Sequence, residues 1–243
     1  MPKPLFNKRN GLILLGFGLL VALGILNLRS LPRSNHEIKP SYTQPAKQKD
    51  LADSFLRKAS QNFFYREFPQ AAENYYKAIA IYESRQDNFH IATTYELLGD
   101  LHIMAREIAE AEKIYIQAVG YYSQSGNHKG QASALKNIGD MRFKRGEYEL
   151  AETWYAQALA VNAGGQPHIV HGQVQEAMGH LHWKTGNIPE AIKSFKQARE
   201  TFAAIKYILG SEHLYHVLQR LNKISRRQSR DGAPPKPPRG EPY

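Results

Sequence analysis

LGDLHIMAREIAEAEKIYIQA, residues 98–118, decides the fold. Forty residues on, positions 138–158 read IGDMRFKRGEYELAETWYAQA, and another forty bring MGHLHWKTGNIPEAIKSFKQA at 178–198. One step earlier, 58–78 read KASQNFFYREFPQAAENYYKA in the same frame. Ala71, Ala111, Ala151 and Ala191 coincide, as do Tyr75, Tyr115, Tyr155 and Phe195, and Ala78, Ala118, Ala158 and Ala198. Gly99, Gly139 and Gly179 recur at the same interval, with Ala59 in the first copy. Self-similarity at this period marks a stack of small supersecondary units.

The spacing fixes the unit. Ala71, Tyr75, Ala78 and Tyr82 are four, three and four residues apart, which is one face of an α-helix. Small residues let a second helix come close, and the aromatic ring fills the space beside them. Each copy therefore reads as an antiparallel pair, helix A then helix B. Gly146 and Gly186 fall in A–B turns, and Pro69 and Pro189 stand where helix B begins, a position that tolerates proline. Gly126-Asn127 and Gly164-Gly165 are expected to mark longer B–A turns.

With its Leu-Gly helix-A signature, Ala-xxx-Tyr/Phe-xx-Ala helix B and turn glycine, the pattern resembles the tetratricopeptide repeat (TPR) family. The period is similar to the longer form found in scaffolds such as kinesin light chain. The resemblance implies an all-α, right-handed superhelical solenoid with four copies, 51–91, 92–131, 132–171 and 172–210. Leu214, Val217, Leu218 and Leu221 form an i, i+3, i+4, i+7 stripe, so 211–226 is expected as a capping helix.

In TPR proteins the A helices line a concave surface. Mapping through the Leu-Gly slot sends inward Glu96, Lys136 and Glu176; Asp100, Asp140 and His180; Phe63, Ile103, Phe143 and Trp183; and Lys144 and Lys184. Large apolar groups beside polar ones suit an extended or helical peptide, the former giving affinity and the latter register. The alternative for Phe63, Phe143 and Trp183 is packing between neighbouring helices. Some TPR domains grip a C-terminal carboxylate with Lys and Asn. Here Lys136 and Asn137 fit such slots, but Asp100 and Asp140 occupy the row where Asn belongs, so that clamp is not expected.

The chain has 243 residues, 32 Lys and Arg against 22 Asp and Glu, and no Cys. Lack of Cys excludes disulfides, thiolate metal sites and a Cys nucleophile. Residues 1–50 carry a net charge of +6, 51–225 of +1 and 226–243 of +3. Basicity confined to the ends argues against nucleic acid as a partner, because that footprint belongs on a folded face. After a basic start at 1–10, residues 11–28, GLILLGFGLLVALGILNL, hold no charge. As a helix they reach about 27 Å, near the bilayer's hydrocarbon thickness of about 30 Å. They read as a single-pass anchor, with the repeats on the extracytoplasmic side. Gly18 and Ala22 form one small-xxx-small pair, which would allow self-association. A cleaved signal peptide is the alternative, although Asn27 to Arg33 offers no pair of small residues for cleavage. Residues 29–50 read as a flexible linker and 227–243 as a Pro/Arg-rich disordered tail, with a PxxPxR pattern at Pro234, Pro237 and Arg239.

No HExxH, nucleophile elbow, phosphate-cradling loop or dinucleotide fingerprint occurs, so no catalytic residue, metal or cofactor is expected. His171 and His180 lie nine residues apart, on opposite faces of a helix, and His168 with His171 has no acidic third ligand. The sequence thus points to a membrane-tethered adaptor that holds protein or peptide partners, with an envelope or secretion assembly as its setting. A soluble periplasmic or secreted binding module is the alternative.

Overall fold

Seventeen-residue helices joined by three-residue turns generate the forty-residue period. The computed structural model describes residues 45–161 and 164–231, all within a compact unit running from Tyr42 to Tyr243. The helices there are α1 (Pro45–Phe64), α2 (Phe68–Ser84), α3 (Asn88–Met104), α4 (Ile108–Gln124), α5 (His128–Lys144), α6 (Tyr148–Val161), α7 (Ile169–Lys184), α8 (Ile188–Ala204) and α9 (Ile208–Asp231). Five of them, α2, α3, α4, α5 and α8, are 17 residues long. One helix and one turn make a step of twenty, and two steps make an A–B pair.

A single turn design serves almost every junction. Its central residue is left-handed at Arg66, Gln86, Arg106 and Lys206 (φ 60, 55, 64 and 59°) and at Gly126, Gly146 and Gly186 (φ 68, 77 and 83°). The next N–H reaches back to the carbonyl five residues earlier, as from Asp87 to Tyr82 (3.0 Å) and Asn187 to His182 (2.8 Å). That bond satisfies a carbonyl the helix end leaves orphaned. The same residue opens the following helix: Asp87 accepts from His90 N–H at 3.2 Å, and Asn127 from Gly130 N–H at 3.0 Å. The turn at Gly126 is therefore as short as the A–B turns, contrary to the expectation of longer B–A connections. Only the junction after α6 is longer, spanning residues 162–168. Glycine was a poor guide because closure of this motif carries Arg, Gln and Lys through a left-handed conformation costing each about 1–2 kcal/mol.

The repeated small and aromatic slots build the core. Ala71, Ala111, Ala151 and Ala191 are buried, and Tyr75, Tyr115, Tyr155 and Phe195 lie between the helices of their own pairs. A Cβ on Gly139 would stand 2.5 Å from Cε1 of Tyr155, so only glycine permits this approach. Each ring removes roughly 150–250 Å² from water, at most about 4–6 kcal/mol of hydrophobic stabilisation. A second ring slot welds pair to pair: Tyr122 of α4 meets Gly130 of α5, and Phe202 of α8 meets Gly172 of α7. Successive A helices touch directly, α3 with α5 and α5 with α7, whereas successive B helices share no contact of that extent. The A helices form the inner layer.

Helix α9 closes the last pair. Leu214, Leu218 and Leu221 are buried with Trp183, Phe195 and Phe202, and Val217 packs at their edge. The cap is longer at both ends than the expected 211–226. It carries residues 227–231 of the expected tail as helix, and α1 takes in residues 45–50 of the expected linker. Pro45 fits the first helical position, and Ala46, Lys47, Gln48 and Lys49 are good helix formers. The apolar segment 11–28 lies outside the described residues. Among the described residues no helix is long and apolar enough to cross a membrane.

Candidate partner-binding face

Helices α3, α5 and α7 bring most of the sequence-predicted groove residues to one layer, but assign them unequal roles. The polar rows are largely structural. Tyr115 Oη donates to Asp100, and Tyr155 Oη donates to Asp140 Oδ1 at 2.7 Å. In the fourth pair the equivalent partners are His180 and Phe195, whose rings meet edge to face at 4.9 Å and 84°. Losing the hydroxyl and the carboxylate together keeps the contact satisfied. Glu96 accepts from Tyr122 Oη at 2.6 Å and from Ser133 Oγ at 2.7 Å, tying α3 to α4 and α5. Burial foremost, and then the carboxylates they face, push the Tyr115, Tyr122 and Tyr155 hydroxyls above the usual phenol range. They remain donors at any physiological pH.

Lys136 Nζ pairs with Asp140 Oδ2 at 2.6 Å one turn along α5. Glu176 Oε1 stands 3.8 Å from His180 Nε2 and 3.7 Å from His213 Nε2, joining α7 to α9. Arg142 on α5 binds Glu112 of α4 and, at 2.6 Å, Glu147 in the turn to α6. These links fix the register of neighbouring pairs.

The row Phe63, Ile103, Phe143 and Trp183 is corrected by the structure. Each member precedes by five residues the apolar residue that opens or adjoins helix B: Phe68, Ile108, Tyr148 and Ile188. Phe63 and Phe68 rings lie 6.2 Å apart, Phe143 and Tyr148 rings 5.6 Å apart. Ile103 and Ile108 pack on the same core, and Trp183 and Ile188 share the last one. The row clasps the A–B turns instead of offering a line of open anchors. Trp183 is only 7% exposed, with His180 stacked near it and the Arg220 guanidinium 5.6 Å from its ring centre. It is covered by α9, a helix whose reach over α7 the repeat pattern did not reveal.

What stays open on the A helices is Leu97, Asp100 and Met104 of α3, Lys144 of α5, and Gln173 of α7. Leu97 and Met104 are 42% and 49% exposed, which for such side chains on a polar helix face is notable. The sequence signal was their seven-residue spacing with Asp100 between them. Lys144 and Lys184 end their helices, where a cation suits the dipole.

The family model for the tetratricopeptide repeat matches residues 90–163 and 130–204. No curated protein matches the chain in sequence. Crystal structures of similar fold include BtubC (BKLC) from P. vanneervenii, with a TM-score of 0.56 at 16% identity over 92% of this chain and 95% of that one. Aspartyl phosphate phosphatase F from Bacillus subtilis gives 0.64 at 14% identity, over 76% of this chain and 49% of that one. A Rap protein complexed with competence and sporulation factor gives 0.57 at 12%, over 76% and 57%. The chain spans about half the length of the phosphatase, and likeness at such identity shows the fold alone. Repeat period, helix pairing and the match over 90–204 agree: the chain belongs to the tetratricopeptide repeat family.

Proposed function

We propose that the protein is a non-catalytic adaptor that holds a protein or peptide ligand along α3, α5 and α7, tethered to a membrane by residues 11–28. The observation that carries the ligand reading is the open strip of Leu97, Asp100, Met104 and Lys144 beside a framework whose carboxylates are already held. Apolar anchors flanked by both charge signs, on helices fixed by packing, suit an extended peptide. The same fold in a Rap protein complexed with competence and sporulation factor supports this use. The anchor reading rests on eighteen uncharged residues between basic flanks. An extracytoplasmic place in an envelope or secretion assembly follows from a short basic N-terminus remaining inside.

The test is crosslinked capture from membranes with the intact chain, a form lacking residues 1–28, and Leu97→Ala/Met104→Ala. The proposal expects the intact chain to resist alkaline extraction, the truncated form to be released, and the double variant to lose its crosslinked partner at unchanged helicity. A soluble chain whose mature N-terminus begins beyond residue 28 would establish the secreted module instead. Unaltered capture by the double variant would remove the α3 strip from the binding face.

A further inference from the structure

Helix α9 is the A helix of a fifth pair. The forty-residue step that relates Gly99, Gly139 and Gly179 leads to Gln219, and the step through Leu98, Ile138 and Met178 leads to Leu218. In the preceding pairs the glycine slot receives the aromatic ring of a B helix, Tyr115, Tyr155 or Phe195. Among the described residues no helix follows α9. The vacant position is a groove of about 730 Å³ between α8 and α9, with Leu218, Tyr215, Gln219 and Asn222 along α9.

Its charge is one-sided. Lys196 and Arg199 of α8 and Lys223, Arg226, Arg227 and Arg230 of α9 line it, and none of its described lining residues is acidic. Three of these cations belong to the sequence counted as tail, but α9 continues to Asp231 and carries them on a folded face. The charge that seemed to lie outside the repeats is thus concentrated at their open end. Residues 232–243 do not suit the slot. They hold Pro234, Pro235, Pro237 and Pro238, which break a helix, and Lys236 and Arg239, which repeat the groove's own sign.

We propose that this groove docks an acidic, amphipathic helix from a partner protein, which completes the fifth pair as its B helix. Apolar residues of the ligand meet Leu218 and Tyr215, and its carboxylates face the six cations. A bilayer or a duplex would meet the rim cations but leave the recessed Leu218 floor unused, so the concave shape favours a peptide. The site is distinct from the strip on α3, and either can fail without the other.

Binding is measured by fluorescence anisotropy with the full chain in neutral detergent. The probe is a labelled peptide of about 18 residues, long enough to form a helix, with Leu on one face and Glu elsewhere. Comparators are its Glu→Gln form, a single-stranded oligonucleotide and vesicles containing phosphatidylserine. The proposal expects saturable binding of the acidic peptide that weakens steeply between about 50 and 200 mM salt. It expects a loss of about tenfold or more in R226E/R227E/R230E and a smaller loss in R199E, which leaves α9 intact. Lys129→Glu, on a distant exposed position, leaves affinity unchanged. Lack of saturable binding, equal binding of the Gln peptide, full affinity in R199E and the triple variant, or tighter binding of oligonucleotide or vesicles each overturns it.

Discussion

Replacing Gly139 with Ala sets two known effects against each other, and the structure decides the sign. Alanine stabilises a helix interior by about 1 kcal/mol relative to glycine. The added methyl, however, would lie 2.5 Å from Cε1 and 2.6 Å from Cδ1 of Tyr155, far inside contact distance. That ring cannot swing away cheaply, since it is 1% exposed and its hydroxyl is held by Asp140 at 2.7 Å. Overpacking of this kind costs about 1–3 kcal/mol, so the net expectation is a loss of about 1–2 kcal/mol. For a unit of this size that lowers the melting temperature by about 2–8 °C, read by circular dichroism of the helices. Combining it with Tyr155→Leu removes the opposing ring, so a double-mutant cycle should show coupling of about 1 kcal/mol or more. Gly146→Ala supplies the contrast: nothing lies within 4 Å, but φ is +77°, so its cost is conformational and uncoupled to Tyr155. A Gly139→Ala protein that melts higher than the parent would refute the close-packing argument, because helix propensity would then be acting unopposed.

Three further outcomes follow from the same geometry. Trp183→Ala should cost about 3–5 kcal/mol and reduce the helical signal, as expected for a buried ring; full helicity with loss of partner capture would return Trp183 to the binding face. Burial, then Lys129 and His171, hold the His168 imidazole below its ordinary value of 6.5, and its Nδ1 accepts the N–H of His171 at 3.2 Å to start α7. The unfolded chain therefore binds the proton more readily, so this contribution is complete above about pH 6.5 and is lost as pH falls. His168→Asn, which keeps the cap without titrating, should flatten the decline in melting temperature between about pH 7 and 5 relative to the parent; parallel curves would exclude His168 as a source. Leu221→Ala, at a fully buried site, should cost about 2–4 kcal/mol and loosen the last pair first, seen as hydrogen exchange rising in α8 and α9 before α2 to α5.

The sequence alone determined the helix pair and its repetition. Small residues at Ala71, Ala111, Ala151 and Ala191, with rings four positions on, can be explained only by helices packed closely at a fixed period. That information is local, because each slot contacts its own or the adjacent pair. Tertiary structure decided what a periodicity cannot carry. It turned Phe63, Ile103, Phe143 and Trp183 from inward anchors into turn clasps, since helical spacing gives the face of a side chain but not which neighbour covers it. It let Arg66, Gln86, Arg106 and Lys206 make the turns that glycine makes elsewhere, because closure of the motif outweighs the left-handed strain. By extending α9 across the end of α8, it also gathered Lys196, Arg199 and Arg226 around one groove, and a charge count along the chain has no means of seeing that convergence.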